Sequence, residues 1–131
     1  MKHLSVTENH LFSKAYTGGN KFSGRYTAVY VLRDRAAKRL MSTNPEKKYL
    51  NRIGISVSKK LGGAVVRSRL RRIIREAFRS LENEDDLKTG YIIIISARTA
   101  AVGKKSTDIY RELKYAFAKL SMYSGENSTT T

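Results

Sequence analysis

The 131-residue sequence has no cysteine, no tryptophan and a single proline. Without cysteine there is no disulfide, no thiolate metal site and no cysteine nucleophile, a composition suited to a reducing compartment. Acids are scarce as well: 11 Asp and Glu stand against 26 Lys and Arg, for a net charge of +15. The two histidines, His3 and His10, lie near the start of the chain. No Ser-His-Asp pattern, paired carboxylates or metal-ligand spacing accompanies them, so no catalytic or metal-binding residue is expected in the protein. Long apolar runs are missing too. Ile92 to Ile95 with its neighbours falls far short of the ~20 residues that span a bilayer, and Lys2 is not followed by an apolar core. The expectation is a cytoplasmic chain with no membrane attachment and no obligate protein partner. Its 40% apolar content and its length fit one domain with a real core. A balance this basic points to a polyanion, nucleic acid before membrane.

The charge is concentrated. From Arg52 to Arg79 there are nine Lys or Arg and one acid, Glu76. Within this stretch Leu70, Ile73, Ile74, Ala77, Phe78 and Leu81 recur at i, i+3, i+4, the mark of one apolar stripe on a helix. At roughly 100° per residue, Arg67, Arg71, Arg75 and Arg79 step along an edge of the opposite face, and Arg69 and Arg72 fill in the rest. Like charges four residues apart cost a helix a few tenths of a kcal/mol per pair. A face kept polar merely for solubility would interleave acids. The guanidinium fork suits phosphate oxygens, and a helix N-terminus adds free N–H groups that favour anions. Lys59-Lys60 and the turn Gly62-Gly63 precede this helix. The Gly-Gly pair by itself matches no phosphate-binding fingerprint.

The remaining chain reads as alternating elements. Leu4 to Gly19 is expected as a first helix, capped by Thr7 and stopped at Gly18-Gly19-Asn20, with Leu11, Phe12, Ala15 and Tyr16 on one side. Asn20 to Leu32 is a strand region, with a short extra strand possible at Asn20–Gly24. Tyr26, Ala28, Tyr30 and Leu32 alternate with Thr27, Val29 and Val31. Arg33 to Lys48 is a basic loop carrying Pro45; Ala36 to Met41 fits a helical turn, and the loop is assigned no site. Tyr49 to Ser58 is a second strand. The acidic run Glu82 to Asp86 lacks calcium-loop spacing and reads as a solvated helix end. Tyr91 to Ser96 is a third strand, apolar at consecutive positions and so covered on both faces. The last helix, capped by Ser106 or Thr107, buries Ile109, Tyr110, Leu113, Ala116, Phe117 and Leu120. One domain over residues 1–123 and a polar, mobile tail over 124–131 follow. The order helix, strand, strand, helix, strand, helix implies an α+β fold: a two-layer α-β sandwich with a small mixed sheet.

Ser56-Val57-Ser58-Lys59-Lys60-Leu61-Gly62, followed by Ala64-Val65-Val66-Arg67-Ser68-Arg69-Leu70-Arg71-Arg72-Ile73-Ile74-Arg75, resembles the signature of the bacterial ribonuclease P protein family without a gap. Gly63 and Ser68 each stand where that family has Asn. The resemblance extends from the first helix to the last. It implies a ribosomal protein S5 domain 2-like fold with a left-handed βαβ crossover, although about 98% of such crossovers are right-handed. It implies docking on ribonuclease P RNA by Lys59, Lys60, Arg67, Ser68, Arg69, Arg71, Arg72 and Arg75. It also implies that Phe12, Tyr16, Tyr30 and Tyr123 contact the single-stranded 5′ leader of precursor tRNA. From periodicity alone Phe12 and Tyr16 would simply be core residues. In that family the RNA subunit is the catalyst and binds the Mg²⁺, so the protein would be the non-catalytic subunit of an endoribonuclease. The competing readings are a ribosomal or other structural RNA binder, a stand-alone nuclease and, more remotely, a DNA-binding helix.

Overall fold

The computed structural model describes residues 3–6, 9–34, 51–84 and 87–123. Five strands form one sheet: β1 (His3–Ser5), β2 (Asn20–Ser23), β3 (Thr27–Arg33), β4 (Asn51–Ser56) and β5 (Tyr91–Ala97), in the order β1-β4-β5-β3-β2. Helix α1 (Asn9–Gly18) lies on one face; α2 (Ala64–Glu84) and α3 (Ser106–Lys119) pack together on the other. The mixed α+β sandwich is the expected one.

The expected first helix is shorter than its apolar pattern suggested. His3–Ser5 is instead an edge strand, parallel to β4 and in register His3↔Asn51 to Ser5↔Ile53. Three residues carry no readable periodicity, and the ladder that makes them a strand comes from a partner far along the chain. The expected cap Thr7 lies outside the described residues, as do most of the basic loop and the tail 124–131. The extra strand at Asn20–Ser23 exists and pairs antiparallel with β3.

β5 is covered on both sides. Ile92 and Ile94 face α1 with Leu11 and Ala15, while Ile93 and Ile95 face α2 and α3. The six α2 residues of the apolar stripe are all buried, and Phe78 meets Phe117 of α3 edge-on at 5.9 Å. The polar groups of the core are paired. Asn51 joins the β4 start to the chain before β5 by donating to the Lys88 carbonyl and accepting from the Tyr91 N–H. Asp34 and Arg52 form a forked pair, 2.7 and 2.8 Å, nearly shut off from solvent. Arg52 is therefore not among the cations offered to a partner.

β4, α2 and β5 form a parallel crossover between neighbouring strands. Its hand follows from one residue. Ile53 accepts a hydrogen bond from Val6 N–H, so its carbonyl points toward β1, while its side chain joins the core under α2. With β4 running upward and β1 on its left, an L-residue whose carbonyl points left carries its side chain behind the sheet. The chain passes behind and returns on the right at β5, which is a left-handed turn, against the general rule. The family expectation holds.

The last helix is capped differently from expectation. Ser106 is already helical, and the Asp108 carboxylate reaches back to the Lys105 N–H at 3.0 Å. A second carboxylate of α3 clasps the β2–β3 turn. Glu112 accepts from the backbone N–H groups of Arg25, Tyr26 and Thr27 at 2.6–3.1 Å and from the Thr27 hydroxyl at 2.7 Å. A Cβ on Gly24 would lie 2.5 Å from that carboxyl carbon, so a side chain there would displace the Glu112 carboxylate from the turn. Hydrogen bonds to a charged group contribute about 1.5–3 kcal/mol each, and solvent can replace some of them at a half-exposed site. Glu112→Ala is expected to cost about 2 kcal/mol in urea unfolding; a loss under roughly 0.5 kcal/mol would show that water serves the turn equally well.

Candidate nucleic-acid interface

Ser58 opens the approach to α2. Its hydroxyl accepts from the Lys60 N–H at 3.2 Å and caps a single 3₁₀ turn, Lys59–Leu61. Both lysines are exposed. Gly62 then adopts φ +146°, and a Cβ there would sit 2.9 Å from the Val66 Cβ, so this glycine is required by both conformation and contact. Gly63 stands in open space with nothing within 4 Å of a built Cβ. A side chain at that position is dispensable to the fold.

The arginines of α2 divide into three groups. Arg72, Arg75 and Arg79 are exposed on the crown of the helix, where Ser68 is exposed as well. Arg67 and Arg71 are half-buried along one edge, with Arg67 Nε donating to the Gly62 carbonyl at 3.2 Å. Arg69 leans to the other edge and donates to the Lys104 carbonyl at 2.9 Å, tying α2 to the loop before α3. Among the described residues no carboxylate pairs with Arg67, Arg69, Arg71, Arg72 or Arg75. The buried stripe below and the unneutralised cations above are what the sequence pattern required of a phosphate-binding ridge.

On the other face of the sheet, Phe12, Tyr16 and Tyr30 come together. Tyr16 meets Tyr30 edge-on at 4.8 Å and Phe12 at 6.5 Å. The three do different jobs. Phe12 is half-buried over Gly54, where a Cβ would stand 2.7 Å from its ring, so it wedges α1 against the sheet. Tyr16 is 41% exposed and presents its ring to solvent, with its hydroxyl 3.4 Å from Ser96 Oγ. Lys21, which sequence reasoning passed over, holds its ammonium 5.5 Å from the Tyr30 ring centre. It is paired with Tyr30 across β2 and β3, a register the strand alternation could have supplied once the hairpin was known. Beyond Tyr16 the floor is Ala28, Ser96 and Ser56, aligned across three strands. It leads along β4 to Ser58 and Lys59.

Tyr123 is not part of this cluster. It packs with the α2–α3 core, its hydroxyl donates to the Lys114 carbonyl at 3.0 Å, and its backbone bridges Leu87. That places it on the sheet face opposite Tyr30. The structure therefore does not bring Tyr123 together with Phe12, Tyr16 and Tyr30: proximity to the end of a helix says nothing about which side of a sheet a residue reaches.

A family model described as Ribonuclease P matches residues 1–121. The chain belongs to the ribonuclease P protein family. It is 40% identical over 131 residues to the ribonuclease P protein component of Clostridium acetobutylicum, covering 98% of this chain and all of that one. It is 33% identical to the component from Clostridium kluyveri, covering 90% of this chain and 95% of the relative. Among solved structures, the Staphylococcus aureus RNase P protein superposes with a TM-score of 0.70 at 28% identity, covering 93% and 99% of the two chains. The Thermotoga maritima RNase P protein, at 20% identity and TM-score 0.57, shares the fold. As a member of this family the chain is a protein subunit of ribonuclease P, the ribonucleoprotein endoribonuclease of tRNA 5′-end maturation.

Proposed function

We propose that α2 and the lysine turn before it dock on ribonuclease P RNA, while Phe12, Tyr16 and Tyr30 line the seat of the single-stranded leader of precursor tRNA. The observation that carries this reading is the division of labour between the two faces. One bears guanidinium groups without acid partners among the described residues; the other bears an exposed aromatic ring above a shallow floor of serine and alanine. Unpartnered cations recognise a backbone, and an open ring recognises an unpaired base. Lys59 and Lys60 lie where the two surfaces meet.

The chain's work in this reading is electrostatic and positional. Its cations lower the repulsion between two RNAs, so that substrate and Mg²⁺ bind at lower metal concentrations. The Mg²⁺ ions are held by RNA phosphates; the ridge offers guanidinium and ammonium groups, which cannot ligate a cation. Bond cleavage belongs to the RNA subunit, and the setting is cytoplasmic, with no further protein partner required.

The test is cleavage of a precursor tRNA by ribonuclease P RNA at low Mg²⁺, with and without the protein. Stimulated 5′ cleavage is the expected result. A structural RNA binder would bind without stimulating, and a stand-alone nuclease would cut without the RNA. In the same assay Tyr16→Ala is expected to weaken binding of a long-leader substrate roughly 5- to 150-fold, as for loss of one stacked base, and to leave leaderless tRNA unchanged. Equal losses on both substrates would mean that Tyr16 supports the fold and does not touch the leader.

A further inference from the structure

A groove of about 400 Å³ lies on the α2–α3 side of the sheet, between α3 and the β2–β3 turn, on the face opposite the Tyr16 cluster. Phe22, Arg25, Tyr26, Arg111 and Tyr115 line it, together with Asp108 and Glu112. The two acids are already committed. Glu112 holds the three N–H groups of the turn, and Asp108 caps α3 and stands 3.8 Å from Arg111. Arg25 and Lys119 have no carboxylate partner among the described residues. The rings alternate with cations along the seam: Lys104 over Tyr26 at 5.5 Å, Phe22 edge-on to Tyr115 at 5.6 Å, and Lys119 over Tyr115 at 5.3 Å.

Such rings could merely close the margin of the core. Phe22 and Tyr26 do pack against it. Tyr115 does not: it is 55% exposed, and among the described residues it and Tyr16 are the aromatics left this open. An open ring that costs solvation, flanked by cations whose acids are spent, matches the combination by which unpaired nucleotides are held. We propose that this groove is a second RNA-contact site, in which one unpaired base stacks on Tyr115 beside Phe22 and its flanking phosphates meet Arg25, Arg111 and Lys119. Because α2 and α3 share a layer, with Arg69 bonded to Lys104 between them, a strand leaving the arginine ridge reaches the groove without crossing the sheet. The inference assumes the RNA partners proposed above and extends them to a surface on the opposite side from the leader seat.

The absence of tryptophan makes the test direct. In the full chain, Tyr115→Trp introduces a single indole fluorophore, and Tyr16→Trp made separately serves as the control. Each is titrated with ribonuclease P RNA, and precursor tRNA is then added to the binary complex. Emission from the Tyr115→Trp protein is expected to fall in one of these two steps, which identifies the RNA that supplies the base. Tyr115→Ala should then lower affinity for that RNA roughly 5- to 150-fold, with Tyr115→Phe restoring it. If the Tyr115→Trp protein keeps its emission in both steps while Tyr16→Trp loses it with precursor tRNA, the groove is not an RNA site, and a protein occupant would give this same result. If both stay bright, the leader seat falls with it.

Discussion

Replacing Arg71, Arg72 and Arg75 together by alanine is expected to weaken binding to ribonuclease P RNA about 100- to 1000-fold near 0.1 M salt. The plot of log affinity against log salt should flatten by about two to three units, at 0.7–0.9 unit per lost phosphate contact. The three were chosen for what they lack. Arg72 and Arg75 are exposed, Arg71 is half-buried, and among the described residues none has a hydrogen bond or carboxylate that its loss would orphan. Arg67 and Arg69 are less clean, since each also donates to a backbone carbonyl. The stability of the triple variant should hold or rise slightly, because the i, i+4 repulsions of Arg71 with Arg67 and Arg75 disappear. Filter binding over a salt series and a urea melt on the same preparation check both halves. An unchanged salt slope would mean that the crown of α2 faces away from the RNA. A matching loss of stability would mean that the arginines support the fold after all.

The two helical faces were legible because a 3.6-residue period needs no knowledge of partners. The six buried positions of α2 follow from spacing alone, and so does the cationic crown. What stayed hidden depends on contacts distant in sequence. β1 is three residues long and is a strand only because β4 pairs with it. Arg52 reads as one more cation in a basic run; the structure turns it inward to Asp34, across β5. Glu112 reads as a polar position on an amphipathic helix, and nothing local announces that it will hold three consecutive amides 85–87 residues away. Tyr16 and Tyr30 were paired through family resemblance. Their 4.8 Å contact required α1 to be wedged at one height over the sheet, which Gly54 permits by leaving room for Phe12. Tyr123 is the converse case: resemblance implies a leader contact for it as well, and the topology carries the chain after α3 back beneath the face opposite Tyr16 and Tyr30. The left-handed crossover is a case in which the general rule points the wrong way.

The underside of α2 sets the second large effect. Phe78→Ala is expected to destabilise the protein by about 3–5 kcal/mol, since it removes a ring that is 1% exposed and edge-packed on Phe117 at the α2–α3 contact. Native domains have roughly 5–15 kcal/mol in hand, so one residue would consume a large share of the total. At this chain length the thermal midpoint should drop by roughly 10–20 °C. Phe78→Leu, which keeps most of the volume, should lose about 1.5 kcal/mol or less. The informative comparison is RNA affinity, measured well below the midpoint of each variant. Phe78 points away from the crown, so the fraction that remains folded should bind ribonuclease P RNA with an unaltered salt slope. A slope that falls while circular dichroism still reports the native fold would show that the ridge depends on the exact seating of α2 against α3. In that case the spacing of the guanidinium groups, and not their charge alone, would carry the recognition.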